Sequence, residues 1–295
     1  MFDLRYHVAS LTAVFLALVI GILVGVGISD RGLLDSAKRS LLEQRIARLR
    51  TQLDQASKAS ALSKREQRAA QRYINETYPV LVHNRLHGLR IAVVFIGSVD
   101  GGLRSTIERA LTDASAQPLR LRALKMPVDV PAVESKLAAS PSDFASYRGK
   151  ANLGSLGREL GDELVSGGDT PLWDALTDTL VEERVGGGKQ AVDGVIVART
   201  TAPQRGATSR FLFGLYQGLN SRGVPAVGIE PTDAANSAVD VYSKAGLSSV
   251  DDIDKPAGLL TLVLLLAGAP PGQYGVKATA DAPLPPFPAT AATGG

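Results

Sequence analysis

The stretch VASLTAVFLALVIGILVGVGI, residues Val8 to Ile28, decides the organisation of this chain. It carries no charged side chain, and Ser10 and Thr12 are its only polar side chains. A helix of this length spans the hydrocarbon core of a bilayer, about 30 Å thick, and satisfies its own backbone polar groups. The stretch therefore predicts a transmembrane anchor at residues 8–28, preceded by a short segment at 1–7.

Two other interpretations of the apolar stretch stay open, a buried core helix and a cleaved signal peptide. Core helices seldom run beyond about 14 uniformly apolar residues. The stretch is also longer than the hydrophobic region of a typical signal peptide, and GVGISDRG at its end is a poor cleavage site. An uncleaved anchor is therefore favoured. Gly21 and Gly25 have the G-x-x-x-G spacing that lets two membrane helices approach closely.

The amino-acid composition excludes several classes of function for this chain. The 295 residues are 45% hydrophobic and 21% charged, which is enough for one globular domain beyond the anchor. A formal net charge of +3 and an aromatic content of 5% do not support nucleic-acid binding. The chain has no cysteine, which excludes a disulfide framework, a thiolate metal site and a cysteine nucleophile.

The charges around the anchor leave its orientation open. Arg5 and the terminal amine precede the anchor, and five basic residues follow it: Arg31, Lys38, Arg39, Arg45 and Arg48. A positive-inside count alone would place the C-terminal bulk in the cytoplasm. The rule is weakest where a long domain follows a first helix that can act as a signal anchor.

A helix-forming segment at residues 33–76 follows the anchor. It contains no glycine or proline and is rich in strong helix formers. Apolar residues at alternating steps of three and four form a coiled-coil seam. The seam residues are Leu42, Ile46, Leu49, Leu53 and Ala56. They predict a stalk that pairs two chains in a parallel homodimer, and the alternative is a single helix lying on the globular domain.

The pattern changes over residues 88–278, where apolar runs of strand length alternate with helical patterns. Pro79 is expected to interrupt the stalk helix before this region. Strands are predicted at 89–96, 119–124, 193–198 and 224–229, and helices at 103–114, 131–139, 153–165, 171–183, 209–221 and 257–267. This alternation is typical of a mostly parallel sheet covered on both faces, so we predict a Rossmann-like α/β domain.

The last residues, 279–295, are rich in proline, alanine, threonine and glycine. Such a composition has too few packing groups to form a core. We therefore predict a disordered tail after the α/β domain.

The turn after the first predicted strand is a candidate anion-binding site. Gly97, Ser98, Gly101 and Gly102 lie between a strand and a helix, where free backbone N–H groups bind phosphate. The turn has neither the dinucleotide-binding fingerprint nor a Walker motif, and tight-turn geometry alone accounts for its glycines. A nucleotide- or anion-binding module is therefore a third functional alternative.

The sequence offers few metal ligands. His83 and His87 would share one face of a continuous helix, but a third ligand is not evident. Asp251, Asp252 and Asp254 could hold a hard cation, or Asp254 could cap the helix that follows it. Copper in its reduced form prefers cysteine and methionine, and the chain has no Cys and 2 Met. We expect no bound metal and no cofactor.

Catalytic motifs are also scarce. The sequence has no G-x-S-x-G elbow, and all 3 histidines precede the predicted α/β domain. The usual general base is therefore missing from that domain. We expect that the protein is not an enzyme.

Three segments resemble one protein family: FDLRYHVASLTAVFLALVIGILVG at the start, VDDIDKPAG, and GQYGVKATADAPLP near the end. Together they are similar to the actinobacterial MctB family, also called SteB-like, whose members are commonly described as copper transporters. The resemblance covers the chain from Phe2 to Pro285. It implies a membrane-anchored cell-envelope protein of mycobacteria, corynebacteria and their relatives.

The resemblance implies one of two functions. The first is a pore-forming outer-membrane protein that limits intracellular copper. The second is a coiled-coil partner of another membrane protein, SteA, and the pair controls a peptidoglycan hydrolase during daughter-cell separation. A pore would require a closed barrel of strands that alternate apolar and polar residues, whereas the strands predicted here are short and continuously apolar.

We therefore expect a dimeric interaction protein with one membrane span. The family placement favours a cytoplasmic N-terminus and an exported C-terminal domain. Copper transport across the envelope is the alternative function.

Overall fold

The computed structural model describes residues 4–139, 142–187 and 189–287. The chain divides into two units, residues 1–71 and residues 72–295. The first helix, α1 (Leu4–Val82), contributes to both units, which are described separately below.

The first unit contains the apolar helix predicted from the sequence. Residues His7–Val26 form a span of 20 residues with a mean hydropathy of 2.6, and none of it is buried by protein. The Thr12 hydroxyl donates to the Val8 carbonyl at 2.8 Å, so this polar side chain is satisfied within the helix. Among the described residues, this is the one helix that is long and apolar enough to cross a membrane. The predicted membrane helix is confirmed.

The structure corrects the prediction that Pro79 interrupts the helix. Helix α1 continues through Pro79 to Val82, although an interior proline removes a backbone donor and costs about 3 kcal/mol. Tyr78 and Val82, in the last turns of α1, are buried in the core of the second unit. Burial of such side chains stabilises by about 1.5–3 kcal/mol each and offsets the cost of the proline.

The second unit is an α/β fold in which strands and helices alternate. In chain order its elements are β1 (Arg90–Ile96), α2 (Gly101–Asp113), β2 (Gln117–Leu124), α3 (Val130–Ala139), α4 (Leu153–Ser166), α5 (Pro171–Leu180), β3 (Val181–Val185), β4 (Gly194–Arg199), α6 (Gly206–Leu219), β5 (Ala226–Ile229), α7 (Val239–Lys244), β6 (Ser248–Val250), α8 (Pro256–Leu266) and β7 (Gln273–Tyr274). Two short 3₁₀ segments, Ser142–Tyr147 and Lys150–Asn152, lie between α3 and α4.

The described strands form one mostly parallel sheet in the order β3-β2-β1-β4-β5-β6-β7. Of these described strands, β3 runs antiparallel to its neighbour β2, and the others pair in parallel. The sequence placed most of this strand in a helix at 171–183, which instead ends at Leu180. Pairing with β2 decides the conformation of Val181–Val185, because strand preference depends on cross-strand contacts more than on the residue itself.

Both faces of the sheet are covered, as the continuously apolar strands predicted. Along β1, Ala92, Val94 and Ile96 belong to one core cluster with residues of α3, α4, α5 and α6. The alternate residues, Ile91, Val93 and Phe95, belong to a second cluster with α2, α8 and the end of α1. Helix α8 is buried from Gly258 to Leu266, which confirms it as a core helix.

The packed region extends beyond the predicted boundary at residue 278. Ala282 and Leu284 pack against the second core cluster, and the Gly275 N–H donates to the Ala282 carbonyl at 3.1 Å. The proline-rich composition did not predict these contacts, because they depend on residues of the preceding strand β7. The remainder of the predicted tail, 288–295, lies outside the described residues.

Candidate functional sites

The seam predicted for the stalk is an exposed apolar stripe on α1. The exposed fractions of Leu42, Ile46, Leu49 and Leu53 are 58%, 46%, 56% and 72%, and Ala56 is also exposed. An ion pair between Lys58 and Asp54 at 3.0 Å lies in water near the same stretch. A contiguous apolar stripe exposed in a single chain marks a surface that contacts protein or membrane. We call these five residues the stalk stripe.

The glycine turn lies at the C-terminal end of β1, as predicted. Gly97 has φ +111, and a Cβ there would lie 2.8 Å from the Thr200 hydroxyl oxygen. Gly101 and Gly102 are the first two residues of α2. Backbone conformation and close packing therefore account for Gly97 without a ligand.

The groups around this turn are acidic. The Asp100 carboxylate caps α2 by accepting from the Leu103 N–H at 2.7 Å. The Ser98 hydroxyl lies 3.0 and 2.9 Å from the two carboxylate oxygens of Glu182. Both carboxylates oppose the approach of an anion to this helix end. Asp100 immediately precedes α2, and an aspartate at that position is a common N-cap signal in a sequence. Anion binding at this turn stays a prediction.

The two candidate metal-binding histidines do not lie on one helix. Helix α1 ends at Val82, and His83 and His87 are exposed in the turn that follows. The His83 Nε2 atom lies 3.1 Å from the Asn84 amide nitrogen. Within residues 4–139, 142–187 and 189–287, no three His, Asp or Glu side chains are grouped closely enough to hold a metal ion.

The acidic cluster of the VDDIDKPAG segment binds the chain's own backbone. The Asp251 carboxylate accepts from the N–H groups of Val276 and Lys277 at 2.8 and 3.1 Å. The Asp254 carboxylate accepts from the N–H and the hydroxyl of Thr232 at 2.6 and 2.8 Å. Asp254 is therefore not the cap of α8, whose N-cap residue is Lys255. Thr232 follows β5, and sequence reasoning had no means to place it beside Asp254.

Lys277 links this cluster to a further carboxylate. Its ammonium nitrogen lies 2.6 Å from a Glu230 carboxylate oxygen, and the Glu230 side chain is only 5% exposed. Glu230 also accepts from the Ala238 N–H at 2.6 Å. Two of the three segments that resemble the MctB family, VDDIDKPAG and GQYGVKATADAPLP, therefore meet at the ends of β5, β6 and β7. Their shared contacts hold the last strand on the sheet.

These features together define a class of protein: a membrane protein whose described residues contain one helix able to span a bilayer, an exposed helical stripe and a mostly parallel α/β unit. The chain belongs to the family described as "Copper transport outer membrane protein, MctB", whose model matches residues 1–285. The resemblance found in the sequence is thereby confirmed.

Curated relatives carry the same family name. The chain is 26% identical over 324 residues to the "Copper transporter MctB" of Mycobacterium bovis. The alignment covers 93% of this chain and 96% of the relative. The proteins of that name from two strains of Mycobacterium tuberculosis match to the same extent.

Proposed function

We propose that this chain is a dimeric interaction protein of the cell envelope that regulates a peptidoglycan hydrolase during cell separation. In this proposal the N-terminus is cytoplasmic, and the stalk and the α/β unit are exported. The observation that carries the proposal is the stalk stripe, whose side chains are unpartnered in a single chain.

The stalk stripe supports dimerisation on energetic grounds. Leu42, Ile46, Leu49 and Leu53 are each about half exposed or more. Burial of an exposed leucine or isoleucine stabilises by about 1.5–3 kcal/mol. The spacing of the four residues presents them on one side of the helix, as knobs-into-holes packing requires. Membrane anchors hold two copies at high effective concentration and in parallel, which lowers the cost of pairing.

The role of the α/β unit in this proposal is recognition. The carboxylates around its turn at Gly97, and the hydrogen bonds that Asp251 and Asp254 make to the chain itself, favour a structural unit over a catalytic one. The family resemblance supplies the candidate partners, a SteA-like membrane protein and a coiled-coil peptidoglycan hydrolase. A helical stalk can bind such partners through the same heptad packing that pairs two copies.

Copper transport is the second candidate, because the names of the family and of its relatives refer to it. The chain offers few ligands for such a role, since it has 3 His, 2 Met and no Cys. One membrane helix also encloses no channel. In the proposed function, loss of the protein changes cellular copper only indirectly, through an altered cell envelope.

The proposal is tested by charges placed in the stalk stripe. Leu49→Glu with Leu53→Glu puts like charges in the seam, and we expect the dimer to dissociate and daughter cells to remain attached. Dimers are measured in membranes as disulfide cross-linking through Ala56→Cys, because the native chain has no cysteine. Retained copper is measured in the same strains.

The matched control adds the same charge away from the seam. Gln44 and Thr51 occupy the heptad position opposite the seam and are exposed. Gln44→Glu with Thr51→Glu should leave cross-linking and cell separation unchanged. Absence of cross-linking in the otherwise native chain would refute the dimer. Normal separation combined with raised copper in the seam variant would favour copper transport instead.

A further inference from the structure

A cluster of positive side chains lies where β2 meets the antiparallel edge strand β3. Arg120 and Arg122 on β2 are each only 4% exposed, which is unusual for arginine. Arg184 of β3 is the register partner of Arg122, so two like charges are directly opposed across the strands. These three arginines line a cavity of about 270 Å³. Lys189, in the loop after β3, also lines it.

The cavity is lined by fewer carboxylates than cationic side chains. Asp174 pairs with Arg184 at 3.0 Å, and Asp169 pairs with Lys189 at 2.5 Å. Four cationic side chains and two carboxylates line the cavity, an excess of two positive charges. The cationic residues are Arg120, Arg122, Arg184 and Lys189.

Arg122 is the least compensated member of the cluster. One of its terminal nitrogens donates to the carbonyls of Leu121 and Val185 at 2.8 and 3.1 Å. Its buried Nε has no hydrogen-bond partner, and no carboxylate forms an ion pair with it, in the part of the chain that the structure describes. Burial, with Arg184 and Arg120 nearby, lowers the pKa of Arg122 to about 10.

The N-terminus of α5 adjoins the cavity but is already occupied. Thr170 and Trp173 line the cavity. The Glu163 carboxylate accepts from the N–H groups of Leu172 and Trp173 at 3.0 and 3.2 Å. The charged donors that line the cavity are guanidinium and ammonium groups, of which Arg120 also donates to the carbonyls of Leu164 and Gln190.

We propose that this cavity binds a phosphate group, as free phosphate or as a phosphomonoester. Such a group carries about −1.5 to −2 charges at pH 7, which matches the excess of two positive charges. Planar guanidinium groups bind two phosphate oxygens at once, and a lysine adds a point charge. A ligand with a single carboxylate would neutralise only one of the two excess positive charges. The site shares no residue with the stalk stripe and does not depend on the proposed dimer.

The test uses the single tryptophan of the chain, Trp173, which lines the cavity. The full-length protein in detergent is titrated with inorganic phosphate at constant ionic strength, and Trp173 fluorescence and the melting temperature are recorded. We expect a saturable fluorescence change and a rise in melting temperature. Glycerol 1-phosphate in a parallel titration distinguishes a phosphomonoester, if it binds more tightly, from free phosphate.

Variants decide whether the response comes from this cavity. Arg184→Gln and Lys189→Gln should each weaken phosphate binding by about tenfold, whereas the exposed Lys244→Gln should not change it. The Lys189 side chain is 76% exposed, so its replacement leaves the core intact even if Arg184→Gln fails to fold. A linear, unsaturable response, an unchanged affinity in Lys189→Gln, or tighter binding of succinate than of phosphate would each overturn the proposal.

Discussion

At the residue scale, Asp252 shows how the fold changes the chemistry of a carboxyl group. The residue is 1% exposed, and its Oδ1 has no hydrogen-bond partner in the described residues. Burial, together with the neighbouring Asp251 and Asp254, raises the pKa of Asp252 to about 6. The native state therefore keeps this proton at pH values where the unfolded chain releases it.

This pKa predicts a pH dependence of stability. Between about pH 4 and pH 6 the native state binds more protons at Asp252 than the unfolded state, so this contribution to the free energy of unfolding falls as pH rises. A shift of two pKa units corresponds to about 3 kcal/mol. Asp252→Asn keeps the shape without the charge. We expect its stability relative to the unmodified protein to increase by up to about 3 kcal/mol from pH 4 to pH 7.

The measurement is urea unfolding followed by Trp173 fluorescence at several pH values. Asp240→Asn, on the exposed face of α7, is the control and should show no such trend. A stability difference for Asp252→Asn that stays constant from pH 4 to pH 7 would contradict the raised pKa.

At the element scale, helices α4 and α6 touch through glycines. A Cβ on Gly214 would collide with the Gly154 carbonyl oxygen and would lie 2.8 Å from the Gly154 carbonyl carbon. A Cβ on Gly157 would likewise meet the backbone of α6, with the Leu215 nitrogen at 2.8 Å. The close approach of the two backbones therefore depends on the missing side chains.

Two alanine substitutions test this contact, one where the added Cβ has no room and one where it has room. Gly214→Ala should lower the free energy of unfolding by about 1–3 kcal/mol or more, because the overpacked backbones must separate. A Cβ on Gly154 lies 3.7 Å from the Arg210 carbonyl oxygen, an ordinary contact. Gly154→Ala should therefore be neutral or gain up to about 1 kcal/mol from helix propensity. Equal destabilisation by both, measured by urea unfolding, would rule out the proposed steric cause.

At the scale of the whole molecule, the proposed function requires the α/β unit to lie outside the cytoplasmic membrane. The absence of native cysteine permits labelling of single cysteines at the exposed positions Ser60 on α1 and Ser243 on α7. We expect both Ser60→Cys and Ser243→Cys to react with a membrane-impermeant thiol reagent in intact cells. The cysteine-free chain and lysed cells are the controls. Reaction only after lysis would place both units in the cytoplasm and refute the exported arrangement.

The elements that the sequence predicted well are those with strong local patterns. The membrane helix follows from about twenty consecutive apolar residues, and α8 follows from an apolar run too short to span a bilayer. Alternation of apolar strands with helical patterns predicted a mostly parallel sheet covered on both faces. Short elements such as β6, β7 and α7 were missed, because two to six residues carry too little periodicity.

The candidate sites were predicted less completely, for a different physical reason. The stalk stripe lies within one helix, so its spacing is visible in the sequence. The arginine cavity joins residues from β2, β3 and the following loop, and only the pairing of β2 with β3 opposes Arg122 to Arg184.

The long apolar helix, the stalk stripe, the α/β class and the family are therefore visible in the sequence alone. Only the tertiary structure decided that α1 continues through Pro79, that Val181–Val185 is an edge strand, and that Asp254 binds Thr232. The first group depends on periodicity and composition over neighbouring residues. The second depends on contacts between residues far apart in the chain, whose energies override local propensity and leave no local pattern to detect.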